Sequence, residues 1–194
     1  MLACRLALDD GHRSRTLNEM VMERQKKLLV ELIKPSHYDD QGYIIQWWRG
    51  FVPSNSLSCL YGLALDVSER RALGDDVDID IEVRDETNAF VPVKTIIRRF
   101  AENENRGLVC LVGVQTNQFA RAVDIARELR AAGIQVAIGG FHVSGCLAML
   151  PALTPELKEA LALGITLFAG EAEGGWRRFS APPTSIVFSR SIIS

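Results

Sequence analysis

The chain has 194 residues, of which 47% are hydrophobic and 24% charged, and its net charge is −2 from 22 Lys+Arg against 24 Asp+Glu. At ~150 residues per domain this is one domain with a sizeable core. The balanced charge excludes a protein that grips nucleic acid or an anionic membrane by bulk electrostatics, and the apolar fraction excludes a disordered chain. No apolar run reaches the ~18 residues a membrane span needs, and Met1–Leu8 meets Asp9-Asp10 at once, a poor secretion signal. Residues 1–26 are weakly patterned and read as an N-terminal extension. Leu28–Ile33 is a short apolar run stopped by Lys34-Pro35, suited to a strand buried on both faces. Asn55-Ser56 can cap a helix carrying Leu57, Leu60, Tyr61, Ala64 and Val67. Asp78–Val83 alternates with period two, as an edge or half-exposed strand does. Val93, Ile96, Ile97 and Phe100 share one helical face, with Pro92 in its first turn. Leu108–Val114 is the most apolar run and predicts the central strand. From Phe119 to Ala132 an inward stripe of Ala122, Ile125, Ala126 and Leu129 ends at Gly133. Gln135–Ile138 is a short strand before Gly139-Gly140; Cys146 opens an apolar helix with Leu147, Met149 and Leu150. Pro155–Leu163 is a shorter helix, and Ile165–Ala169 a strand ending at Gly170.

Strands alternating with helices at this spacing imply an α/β domain over residues 27–174. Its architecture is a doubly wound (flavodoxin- or Rossmann-like) parallel sheet of five strands. With the most apolar run in the centre, the strand order is 2-1-3-4-5. The tail, 175–194, departs from this pattern: Trp176-Arg177-Arg178-Phe179 could begin a last helix, but Pro182-Pro183 stops it. It reads as an incomplete or altered domain edge. Cys4, Cys59, Cys110 and Cys146 lie far apart without a Cys-x-x-Cys pair, which suits reduced thiols in a cytoplasmic protein and argues against a zinc ribbon.

Ligands of such sheets bind outside the carboxyl ends of the strands. The loops there read Lys34-Pro35-Ser36-His37, Gln115-Thr116-Asn117-Gln118, Gly139-Gly140-Phe141-His142-Val143-Ser144-Gly145 and Gly170-Glu171-Ala172-Glu173-Gly174, whereas the opposite edge has short plain connections. Small hydrogen-bonding residues concentrate on one rim, and glycines let a backbone approach a ligand closely. His37 is a metal ligand or a solvated loop histidine. His142 faces a ligand or packs its ring, and Cys146 is its nucleophile partner or a buried thiol. Glu171 and Glu173 form a carboxylate pair, or one caps a helix. Trp47-Trp48-Arg49 is a cofactor-facing patch, a lid or a partner surface. Gly-x-Ser-x-Gly, P-loop and Gly-x-Gly-x-x-Gly motifs are absent, which removes the usual hydrolase, NTPase and dinucleotide readings.

Taken in order, LLVELIKPSHYDDQGYIIQWWRG, GLVCLVGVQTNQFARAVDIARELRAAG, VAIGGFHVSG and ITLFAGEAEG resemble the N-terminal cobalamin (B12)-binding domain of B12-dependent radical SAM proteins, over about residues 28–174. The resemblance implies a corrin on the carboxyl rim, with its nucleotide tail running down between sheet and helices. It implies cofactor contacts from Ser36, His37, Gln115, Thr116, Gly139, Gly140, Phe141, His142, Gly170 and Glu171. The Asp-x-His-x-x-Gly of B12 domains whose histidine ligates cobalt is missing, so the expectation is cobalamin bound without a protein imidazole on the metal. The Cys-x-x-x-Cys-x-x-Cys that holds a 4Fe-4S cluster and SAM is missing too. The expected function is therefore a cobalamin-binding module, not catalytic alone. It would partner a radical SAM catalytic domain of an enzyme such as a methyltransferase, with neither nucleic acid nor membrane as partner. The alternatives are a flavodoxin- or receiver-like module binding FMN or a protein, and a non-functional remnant. The Val114-Gln115-Thr116 after the central strand, where a receiver carries its phospho-acceptor Asp, counts against the receiver.

Overall fold

A computed structural model describes residues 26–47 and 54–170, and the backbone of Ile192–Ile193. Five parallel strands, β1 (Lys26–Lys34), β2 (Val77–Asp85), β3 (Gly107–Leu111), β4 (Gln135–Gly139) and β5 (Thr166–Phe168), lie in the order β2-β1-β3-β4-β5. This is the doubly wound α/β sheet that the strand pattern implied. A two-residue strand β6 (Ile192–Ile193) adds antiparallel to the outer edge of β5. The helices are α1 (Asn55–Glu69), α2 (Val93–Glu102), α3 (Phe119–Ala131), α4 (Phe141–Met149) and α5 (Pro155–Ala162), with a 3₁₀ turn at Thr116–Gln118. The extension before Lys26 lies outside the described residues, as does the tail apart from β6.

Residue parity along the strands separates two cores. Leu29 and Ile33 of β1, Val109 and Leu111 of β3, Val136 and Ile138 of β4 and Leu167 of β5 pack with α2, α3, α4 and α5. The alternate residues Val30, Leu32, Leu108, Cys110 and Ala137 pack with Leu57, Ala64 and Val67 of α1. Right-handed crossovers require this division: the β1–α1–β2 unit winds one way from β1 and the later units the other. Among the described residues α1 is the single helix on its face. On the other face Phe100, Ile96, Ile125 and Leu129 are essentially without solvent exposure, and burying each such side chain contributes about 1.5–3 kcal/mol.

Several boundaries differ from the sequence reading. Strand β3 stops at Leu111, not Val114, because Gly113 takes a φ of +63 and turns the chain there. The cap of α1 is Ser54, whose side chain accepts from the Leu57 N–H at 3.4 Å; Asn55 and Ser56 are already helical. Pro92 caps α2 from outside the helix. Helix α4 opens at Phe141 rather than Cys146, so most of the expected glycine-rich loop is helix. Within the apolar run of β1, Glu31 is fully buried on the α2 side, paired with Arg84 of β2 and, at 2.9 Å, with Arg99 of α2. Burial pushes its carboxyl above the usual range, and Arg84 chiefly opposes that.

Candidate functional site

The carboxyl rim is built from four connections. The first, after β1, folds onto α3. The Ser36 hydroxyl donates to the Ile45 carbonyl, and the Ser36 N–H to Glu86 Oε2 at 3.1 Å. Glu86 is fully buried and receives the Arg121 guanidinium at 2.6 and 3.1 Å. The Tyr38 hydroxyl donates to Asp124 at 2.8 Å, and Gln118 Nε2 to the Pro35 carbonyl at 2.9 Å. A bridge between Tyr38 and Ile44 closes the loop on itself. The crevice between the carboxyl ends of β1 and β3 is therefore filled on the α3 side by the protein's own polar groups. Ser36 is consumed in that packing. His37 gives its carbonyl to the Ile45 N–H at 2.9 Å, and its ring is half-buried. Trp47 is 64% exposed, while Trp48 and Arg49 lie outside the described residues.

The β3 and β4 ends are sewn together by backbone. The Val114 N–H donates to the Gly139 carbonyl and the His142 N–H to the Val114 carbonyl, each at 3.1 Å. Between them Gly140 sits at φ +143, where a Cβ would come within 2.2 Å of the Val114 nitrogen. Only glycine passes such a crossing. The chain then enters α4 at once, and this sends the His142 side chain to the α3 face. Its ring lies 4.4 Å from that of Phe119, tilted by 40°, with Nδ1 3.4 Å from Thr116 Oγ1 and Nε2 3.7 Å from Glu156. Burial holds the imidazole below its usual pKa, and the Glu156 carboxylate pulls it back up. Cys146 Sγ is 3.9 Å from both ring nitrogens, over the ring rather than in line with either. Thr116 and His142 line a hollow of about 370 Å³ with Asp124, Arg127, Glu156 and Glu159 around an apolar wall of Phe119, Ala120 and Val123.

A second cavity, about 320 Å³, opens on the other face, between α1 and the carboxyl halves of β1, β3, β4 and β5. Its mouth is polar but uncharged: Asn55 and Ser56 from the first turn of α1, and the backbones of Gly113, Gly139, Gly140 and Gly170. Its floor is apolar, made by Leu32, Leu63, Cys110 and Ala137. Among the described residues no charged side chain lines it. Burial pushes the Cys110 thiol up to about 12, so it stays protonated and is neither nucleophile nor thiolate ligand.

The candidate residues thus fall into separate places. Gly139, Gly140 and Gly170 meet at the α1-side cleft; Thr116 and His142 meet in the hollow on the opposite face. Gln115 is exposed and donates its N–H to Gln118 Oε1 at 3.0 Å. Phe141 stands 74% exposed at the start of α4. Glu171 and Glu173 lie outside the described residues. Asn55 and Ser56 were read from sequence as a helix cap and not as site residues, and Cys110 and Ala137 were not picked out. The signal that finds Cys110 and Ala137 is parity. On β3 and β4 the α1-side positions Cys110 and Ala137 are small, while their neighbours Val109, Leu111, Val136 and Ile138 are large.

No family model matches this chain, and neither a curated protein nor a solved structure matches it. Among the described residues no cluster of three or more His, Cys, Asp or Glu side chains could hold a metal ion, and no helix is long and apolar enough to cross a membrane.

Proposed function

We propose that the chain is a corrinoid-binding module whose cleft between α1 and β3–β5 takes the nucleotide arm of a cobalamin, with the macrocycle over the carboxyl rim. The carrying observation is the cleft itself, at the carboxyl ends of the strands, with a glycine-backbone mouth and an uncharged floor. The donor set suits the group. A corrin is a large apolar plane fringed with amides, and amides need backbone and hydroxyl partners. Asn55, Ser56 and the Gly113 backbone supply them at the mouth, where the Gly139 carbonyl already accepts from Val114 and the Gly170 N–H already donates to Ser144 Oγ. Leu32, Leu63, Cys110 and Ala137 supply an apolar wall for a heteroaromatic base.

In this reading the chain's residues bind and orient, and no bond is broken by them. Glycines at the mouth admit the amide fringe, and α1 and the sheet exclude water from the buried arm. Bound cobalt would supply methyl transfer or tune a radical step for a radical SAM partner domain.

The test is gel filtration of the chain with hydroxocobalamin or FMN, read by absorbance. Corrinoid absorbance should co-elute with the protein and FMN should not. Cys59 is exposed on α1 and lines the cleft, so Cys59→Trp should fold normally yet lose the corrinoid. Folded wild-type protein that retains no corrinoid overturns the proposal.

A further inference from the structure

We infer that the cleft discriminates among corrinoids by their lower base, admitting a benzimidazole or phenol whose buried edge carries no amine and disfavouring a purine. This rests on the corrinoid reading above and adds to it the selectivity of the floor.

Depth in the cleft orders its chemistry. Helix α1 runs antiparallel to the strands, so Asn55 and Ser56 lie at the rim and Leu63 lies about 10–12 Å further down, at 1.5 Å per residue. On β4, Gly139 is at the rim and Ala137 about 7 Å below it. Leu32, Cys110 and Ala137 form one rung across β1, β3 and β4: Leu32 pairs with Cys110, and Cys110 with Ala137. Their backbone N–H and C=O groups run in the ladders of a parallel sheet with strands on both sides of β3. The next residue on the rung, Thr166, does not line the cleft. The polar atom left at the floor is the Cys110 sulfur, a weak donor and weak acceptor.

A benzimidazole can turn its methyl or C–H edge to such a floor and has a single free ring nitrogen, on the opposite edge, to satisfy. A purine presents an exocyclic amine and ring nitrogens, which leave water without finding partners. An unsatisfied buried polar group weakens binding about tenfold or more.

The experiment measures equilibrium binding of the full chain to cyanocobalamin, its adenine-based analogue and base-free cobinamide. Cyanocobalamin should bind tightest, with the adenine analogue about tenfold weaker and cobinamide weaker than cyanocobalamin. Leu63→Asn places an amide above the floor at a half-buried position that tolerates change, and it should narrow the gap between the two bases. Far-UV circular dichroism verifies that this variant folds. Cobinamide binding as tightly as cyanocobalamin would show that no base enters, overturning the inference while leaving the corrinoid reading intact. Equal affinity for the two bases, or a gap that Leu63→Asn leaves unchanged, also overturns it. Retention of none of the three removes the corrinoid reading and this selectivity with it.

Discussion

Gly140→Ala is the most informative single change at the rim. In the native structure Gly140 has φ +143 and ψ −167, a region that costs a residue with a side chain about 1–3 kcal/mol. The added methyl would lie 2.2 Å from the Val114 nitrogen and 2.7 Å from its oxygen. Both are backbone atoms, so no rotamer change relieves the clash. The β3–α3 turn must move instead, and the hydrogen bonds Val114 N–H to Gly139 and His142 N–H to Val114 go with it, at about 1 kcal/mol each. The sum is a loss of about 3–5 kcal/mol. For a chain of this size that lowers Tm by about 6–20 °C. The control is Gly145→Ala. Gly145 lies inside α4 and its Cβ would meet nothing within 4 Å, so alanine there should stabilise by about 0.5–1 kcal/mol. Urea denaturation followed by circular dichroism measures both. A Gly140→Ala loss under about 1 kcal/mol would refute the claim that this crossing demands glycine.

Iodoacetamide at pH 8 should label exposed Cys59 and spare Cys110, whose thiol burial pushes up to about 12 and so keeps protonated even where the cleft admits the reagent; peptide mass mapping reads this, and labelled Cys110 would contradict a protonated thiol at the floor. His142 has its pKa lowered by burial, so its neutral form is favoured by folding. That contribution is complete above the usual 6.5 and is lost as pH falls through the lower, native value. The wild-type Tm should therefore drop on acidification below neutrality more steeply than that of His142→Gln, and equal slopes would refute the assignment. Arg121→Ala leaves the fully buried Glu86 carboxylate without its cation and should cost about 3 kcal/mol or more, while Arg121→Leu combined with Glu86→Leu should recover much of the loss. Denaturation midpoints of the single and double variants decide between this and a merely superficial ion pair.

The fold was legible because its signals are local and repeated. The alternation Asp78–Val83 marked an edge or half-exposed strand, and β2 is the edge. The stripe Ala122, Ile125, Ala126 and Leu129 marked the inward face of α3, and all four are fully buried. What stayed hidden depends on contacts distant in sequence. Glu31 sits in a run that reads as purely apolar, and its place is fixed by Arg84 and Arg99, 53 and 68 residues away. Glu86 has nothing in its local sequence to single it out, yet it holds the loop after β1 to α3 through Arg121, 35 residues on. No period or spacing encodes such pairs.

The candidate site was half legible for a related reason. The string Gly139-Gly140-Phe141-His142 reads as one loop, and a loop presents all its residues to one ligand. The strain at Gly140 converts it into a strand end followed at once by a helix, and a helix sends successive side chains in different directions. Gly139 and Gly140 therefore open on the α1 side while His142 turns to Phe119 and Thr116 on the other. The same parity that divides the rim also reveals the cleft. A strand buried on both faces needs volume on each, and toward their carboxyl ends β3 and β4 place theirs on the α3 side, leaving Cys110 and Ala137 toward α1 beyond the large Leu108. Small residues side by side on adjacent strands leave space beneath a helix, and here that space lies where parallel sheets bind their ligands. Reading strand residues by face rather than by run would have found the floor of the cleft before its glycine rim.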